Sequence, residues 1–171
     1  ALTIVLSAVV GRHFGQGYKE AAIGMLLFGG LGILLVRIGR YAHDKLILNH
    51  LDKNNLISEK NVSVALVDAS AAVASAIVVK SIIDWSVGTN TNTFIAVFLG
   101  VIVVLIVLLF ATRIYEYSCA DSNQNSGFQD TLSNGQIALA MQHSGNLIGV
   151  AIAVSSASKV LIYHPTTYVT N

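Results

Sequence analysis

Charge is what this sequence has least of. Of 171 residues, 10 are Lys or Arg and 9 are Asp or Glu, 11% of the chain, where a soluble domain carries about 25%. A soluble fold of this length needs a charged surface, yet long stretches here contain no charge at all. The net charge of +1 and the absence of a basic run exclude a nucleic-acid footprint, which needs clustered Lys and Arg. The single cysteine, Cys119, excludes an intramolecular disulfide and a Cys-based metal cluster of its own. The single proline, Pro165, leaves the apolar segments free of helix breakers. What is present is apolar: 54% of residues are AVILMFWYC, with 14 Gly besides, and the mean hydropathy is +0.67. The composition predicts an all-α integral membrane protein.

A helix crosses about 30 Å of hydrocarbon with roughly 20 residues. Four segments meet or approach that length: Ala21–Ile38, Val62–Ile83, Thr93–Thr112 and Ile137–Ile162. Thr93–Thr112 has no charge and few small residues, so it is expected to face lipid. Val62–Ile83 contains Asp68 and Lys80, and Ile137–Ile162 contains Gln142, His143, Asn146 and Lys159. Polarity is therefore concentrated in two of the four spans. Ala1–Val10 is apolar but too short to span, and reads as the tail of a helix that begins further upstream. Tyr18, Tyr41, Trp85, Tyr115, Tyr117 and Tyr163 lie near span ends, where amphipathic rings sit at the water interface.

Between the spans lie two short connections, Gly11–Glu20 and Asp84–Asn92, and two longer ones, Arg40–Lys60 and Ile114–Gly135. Tyr41–Lys60 reads equally well as a short interfacial helix or a solvated loop. The side bearing the longer connections carries Arg37, Arg40, Lys45, Lys53, Lys60 and Arg113, against Arg12, Lys19, Lys80 and Lys159 opposite. That excess predicts a cytoplasmic location for the longer connections.

At an offset of 75 the chain lines up with itself. Ala65–Val79 falls on Ala140–Val154, matching Ala65 with Ala140, Ala76 with Ala151, Ile77 with Ile152 and Val79 with Val154. The unit is a small-residue helix, a short connection, a greasy helix and a longer connection. It crosses the membrane twice, so successive units run parallel, related by an axis along the membrane normal. The expected division is a partial first unit at 1–60, a second unit at 61–135, and the first span and tail of a third at 136–171. Within the small-residue helices, Ala65, Ala69, Ala72 and Ala76 form one row and Gly145, Gly149 and Ala153 another. Such rows permit the close backbone approach that associates helices in lipid, which places both helices inside the bundle.

This arrangement resembles the YjfL family of bacterial inner-membrane proteins, also called domain of unknown function 350. Members are similar in being tandem two-helix units, with an Asn opening a small-residue helix followed by an Ala-rich stretch and paired small residues. Asn61, Ala65, Ser70 and Ala74 occupy that pattern in one unit, and Gln136, Ala140, Gly145 and Gly149 in the next. Gln136 departs from the Asn, and Ser70 and Ala74 depart from Gly. The resemblance covers Ala1 to about Val160. It implies a bacterial inner-membrane location and, from genes for phage-shock-type envelope proteins and ATP-grasp or polyamine-related enzymes beside family members, a part in membrane organisation or stress response.

No catalytic signature is present: there is no nucleophile elbow, no GxGxxG and no Walker-type loop. His13, His43, His50, His143 and His164 form no HxxxH pair, and 121–130 (DSNQNSGFQD) does not fit an EF-hand. No enzyme activity, cofactor or metal is expected. Two function classes remain. One is an oligomeric membrane scaffold whose connections at 40–60 and 114–135 dock a soluble partner. The other conducts an ion, proton or small polycation along intramembrane polar groups. The candidate site for both is Asp68 with His143, which the repeat offset places at one depth, extended by Gln142 and Asn146. An unpaired Asp in a span costs at least about 2.5 kcal/mol, so Asp68 is expected to find a partner across the pseudo-axis, either His143 or a symmetry mate.

Overall fold

The computed structural model describes residues 1–13, 17–48, 50–86, 91–122 and 127–160. Within these the chain forms seven helices: α1 (Leu2–His13), α2 (Tyr18–Ile47), α3 (Lys53–Ser58), α4 (Val62–Trp85), α5 (Thr91–Ser122), α6 (Phe128–Ser133) and α7 (Ile137–Val160). No strand occurs among the described residues. Helices α2, α4, α5 and α7 are long and apolar enough to cross a membrane, and the protein is a multi-pass membrane protein.

Local chemistry sets the helix ends. Asp52 caps α3 by accepting the Asn55 N–H at 3.3 Å. Asn61 opens α4: its Oδ1 accepts the Val64 N–H at 3.1 Å, while its Nδ2 donates to the Ser133 carbonyl at 2.9 Å. One side chain thus starts a helix and ties it to α6. The residues before the two small-residue helices, Lys60 at φ 63° and Gly135 at φ 79°, are left-handed, the conformation that turns a chain sharply out of a short helix. The bounds of α3 and α6, and likewise those of α4 and α7, differ by the same offset at which the sequence lines up with itself, and so do the ends of α2 and α5.

Several boundaries differ from the sequence expectation. The span expected at Ala21–Ile38 is the middle of the 30-residue α2, about 45 Å long, so Arg40–Ile47 is helix rather than connection. The connection expected from Ile114 likewise begins as the end of α5, which runs to Ser122. Of Tyr41–Lys60, only Lys53–Ser58 forms a separate short helix. Parts of other expectations, including 123–126 of the oxygen-rich segment, Tyr163, His164 and Pro165, lie outside the described residues.

Helix α4 is the hub, packed against each of the other six helices. Its closest neighbour is α7. Ser144 Oγ donates to the Leu66 carbonyl at 3.5 Å, Ser81 Oγ donates to the Ser155 carbonyl at 3.2 Å, and Ser81 also bonds Ser158. Early residues meet early residues and late meet late, so α4 and α7 run parallel. Helix α2 approaches α4 through glycine: a Cβ on Gly39 would lie 2.7 Å from Ser75 Oγ and 3.0 Å from Leu105 Cδ2. Phe28 of α2 stacks on Phe94 of α5 with ring centroids 4.6 Å apart. Helix α5 turns Val97, Val101, Leu105 and Leu108 inward and leaves Val103, Ile106 and Phe110 on the outside.

The small-residue rows do not pack as expected. On α7, Gly145, Gly149 and Ala153 are exposed, and nothing lies within 4 Å of a Cβ built on either glycine. Helix α7 instead meets the rest of the chain through Leu139, Ala140, His143, Ser144, Leu147 and Ala151. On α4, Ala76 is buried, Ala65 and Ala72 are half-buried, and Ala69 is exposed. The α7 row lies off the contact face and the α4 row is only partly in contact, because several adjacent rows of each helix are rich in small residues.

Candidate functional site

At one end of the bundle the last turns of α2, the start of α4 and the short α3 bring four charges together. Asp68, in the second turn of α4 and so about 9 Å from its start, accepts hydrogen bonds from Arg40 Nε at 3.0 Å and Nη2 at 2.6 Å. Lys53 Nζ donates to Asp68 Oδ1 at 2.9 Å and also pairs with Asp44. Two cations and two anions make the cluster neutral. Asp68 and Lys53 are nearly buried, with side chains 12% and 15% exposed, while Arg40 is half-exposed at 47%.

The expected Asp68–His143 pair is not made. The Asp68 carboxylate is occupied by Arg40 and Lys53, and neither ring nitrogen of His143 has a hydrogen-bond partner among the described residues. His143 instead sits among rings: Phe128 at 4.7 Å, Tyr115 at 5.5 Å and His43 at 6.0 Å between centroids. The two positions, 75 residues apart in the sequence, have different company. Arg40 corresponds to Tyr115, Lys53 to Phe128, and Asp68 to His143. A charged cluster in one place and an aromatic cluster in the other are built on the same three positions.

His43 and His143 are 4% and 1% exposed, and among the described residues none of their four ring nitrogens has a partner. A buried donor or acceptor without a partner costs about 1 to 3 kcal/mol. Each ring borders a small cavity of about 20 Å³, one lined by Gly39, His43, Ser75 and Thr112 among others, the second by Thr112, Tyr115, His143 and Asn146. Each has the volume to hold about one water. Thr112, in the wall common to both, donates its hydroxyl to the Leu108 carbonyl at 2.7 Å. Among the described residues, no group of three or more His, Cys, Asp and Glu is arranged to hold a metal ion.

Of the two residues expected to extend the polar patch around His143, Asn146, itself exposed, lines the same small cavity as His143, while Gln142 is exposed. The site residues missed from sequence are Arg40, Asp44 and Lys53, with His43. A signal for them was present: Arg40 and Lys53 are cations shortly upstream of Asp68, but both lay in a segment read as connection.

A bundle of long apolar helices around α4, with four paired charges clustered near one end, defines a polytopic helical membrane protein. A family model described as Domain of Unknown Function (DUF350) matches residues 1–83 and, in a second match, 18–158, and the chain belongs to that family. Searches of curated proteins and of solved structures returned no match.

Proposed function

We propose that the protein is a repeat-built subunit of an oligomeric scaffold in the bacterial inner membrane, part of an envelope or stress-related complex. The observation that carries this reading is the neutral Arg40–Asp44–Lys53–Asp68 cluster. It holds the intramembrane carboxylate in fixed pairs that join α2, α3 and α4, which is the work of a clasp rather than of a group that exchanges cargo. The tandem-unit reading is supported by helix bounds that recur at the sequence offset and by the two left-handed residues at matched positions. The short helices α3 and α6 lie at the end that bears the longer connections, where a soluble partner would dock. That end faces the cytoplasm on this reading.

The test is mass measurement of the purified chain in mild detergent or nanodiscs, with flux measurement in proteoliposomes. Particles of more than one chain and no proton or cation flux are expected. Single chains at every concentration overturn the oligomer. Cys119 should be protected from an impermeant thiol reagent in intact cells, and labelling there reverses the orientation.

A second reading, conduction of a proton, ion or small polycation, is favoured by one observation: four imidazole nitrogens with no partner among the described residues, beside two water-sized cavities. Under it, His143→Phe and Asp68→Asn both abolish flux while the chain still assembles. If the wild type and both variants show only the flux of protein-free vesicles, the scaffold reading stands alone.

A further inference from the structure

His43 of α2, Thr112 of α5 and His143 of α7 are all buried, at 5% exposure or less. They stand in sequence: His43 borders one small cavity, His143 the other, and Thr112 both, each cavity being about 20 Å³. A cavity lined only by apolar side chains stays dry, whereas a water settles where about two to four polar groups surround it. The first cavity presents His43, Ser75 and Thr112, and the second His143, Asn146 and Thr112. Both meet that requirement. Neither suits a transition metal, since each offers one imidazole beside hydroxyl or amide groups where such an ion takes about three or four strong donors.

One hydrogen bond fixes the direction of the others. Thr112 Oγ1 donates its single proton to the Leu108 carbonyl at 2.7 Å. A hydroxyl has one proton and two lone pairs, so toward both cavities Thr112 can only accept. A water on either side therefore turns one proton to Thr112 and keeps its other proton and its lone pairs for the imidazole. Among the described residues no protein group bonds either nitrogen of His43 or of His143, and a water-mediated bond is nearly as favourable as a direct one. One nitrogen of each ring is thereby satisfied across a helix boundary.

We propose that each cavity binds one water molecule, that both waters donate to Thr112 Oγ1, and that the seam His43–water–Thr112–water–His143 ties α2, α5 and α7 together without relaying protons. Protons point at Thr112 from both sides. Passage from one water to the other requires the Thr112 hydroxyl to leave Leu108 and turn toward a water that is already donating to it. The seam thus assigns to a fixed network the same imidazoles that the conduction reading treats as a path. It does not depend on how many chains assemble.

The test uses the full chain in nanodiscs with isotope-labelled histidine. Magnetisation transfer from water protons to the imidazole nitrogens is read by solid-state NMR, with His43→Phe and His143→Phe assigning the signals. Transfer to both rings is expected in the wild type. In Thr112→Val, which keeps the shape and removes the oxygen, it should be lost at both rings, and Thr112→Ser should retain it. Dry rings in the wild type overturn the proposal, whether or not Thr112→Val folds. Transfer at the wild-type level in a folded Thr112→Val removes Thr112 from the seam and overturns it too. Proton flux of the wild type in proteoliposomes should equal that of protein-free vesicles. Flux above that background, lost in His143→Phe while both rings are wet, would overturn the convergent seam and establish the conduction reading. Dry rings without flux would overturn the seam and leave the scaffold reading standing.

Discussion

Replacing Asp68 by Asn keeps the side-chain shape and removes one charge from a neutral cluster. Two charge-assisted bonds from Arg40 and one from Lys53 then fall on a neutral amide, whose nitrogen faces donors. Breaking a fully buried ion pair costs about 3 to 5 kcal/mol because the remaining charge is stranded. Here the cost is smaller. Arg40 is 47% exposed and can rehydrate, and pairs open to solvent contribute about 1 kcal/mol or less. Lys53, nearly buried, keeps Asp44. The net expectation is a loss of roughly 2 to 3 kcal/mol, or a fall in thermal midpoint of roughly 4 to 12 °C for a chain of this size. The assay is thermal unfolding of wild type and variant in the same detergent or nanodisc, extended to double-mutant cycles. Asp68→Asn with Lys53→Met should couple by about 1 to 2 kcal/mol, whereas Asp68→Asn with His143→Phe should be additive within about 0.5 kcal/mol. A midpoint for Asp68→Asn within a degree of wild type, or a strong coupling to His143, refutes the assignment of Arg40 and Lys53 as the partners.

The turn before α4 holds Lys60 in the left-handed region, so Lys60→Gly should stabilise by up to about 1 kcal/mol and Gly135→Ala should destabilise by about 1 to 2 kcal/mol, both read as shifts in thermal midpoint. Asn61→Ala loses the cap of α4 and the bond to the Ser133 carbonyl, about 1 to 2 kcal/mol, while Asn61→Asp keeps the cap and should lose only part of that; equal losses would show that the cap does not matter. A Cβ on Gly32 would overlap the stiff Val5 side chain, so Gly32→Ala should cost about 1 to 3 kcal/mol, whereas Gly29→Ala meets nothing and should be neutral or gain up to about 1 kcal/mol; the ratio of folded yields after heating separates them.

The hydropathy pattern alone determined that four helices are long and apolar enough to cross a membrane, because a span is set by a local run of apolar residues against a fixed thickness of hydrocarbon. The helix starts at Val62 and Ile137 put Asp68 and His143 at equal rises along α4 and α7. Which groups they meet was decided by tertiary structure. Asp68 pairs with Arg40 and Lys53 only because α2 runs past Ile38 to Ile47 and α3 folds back beside it, and hydropathy has no view of where a helix ends once charged residues begin. The contact face of α7 was equally out of reach of the sequence. Small residues occupy several adjacent rows of both helices, so Gly145 and Gly149 looked like the packing row, whereas Ala140, Ser144, Leu147 and Ala151 make the contact. Choosing between rows a turn apart depends on the crossing of two helices, and that is a property of the packed bundle rather than of either segment.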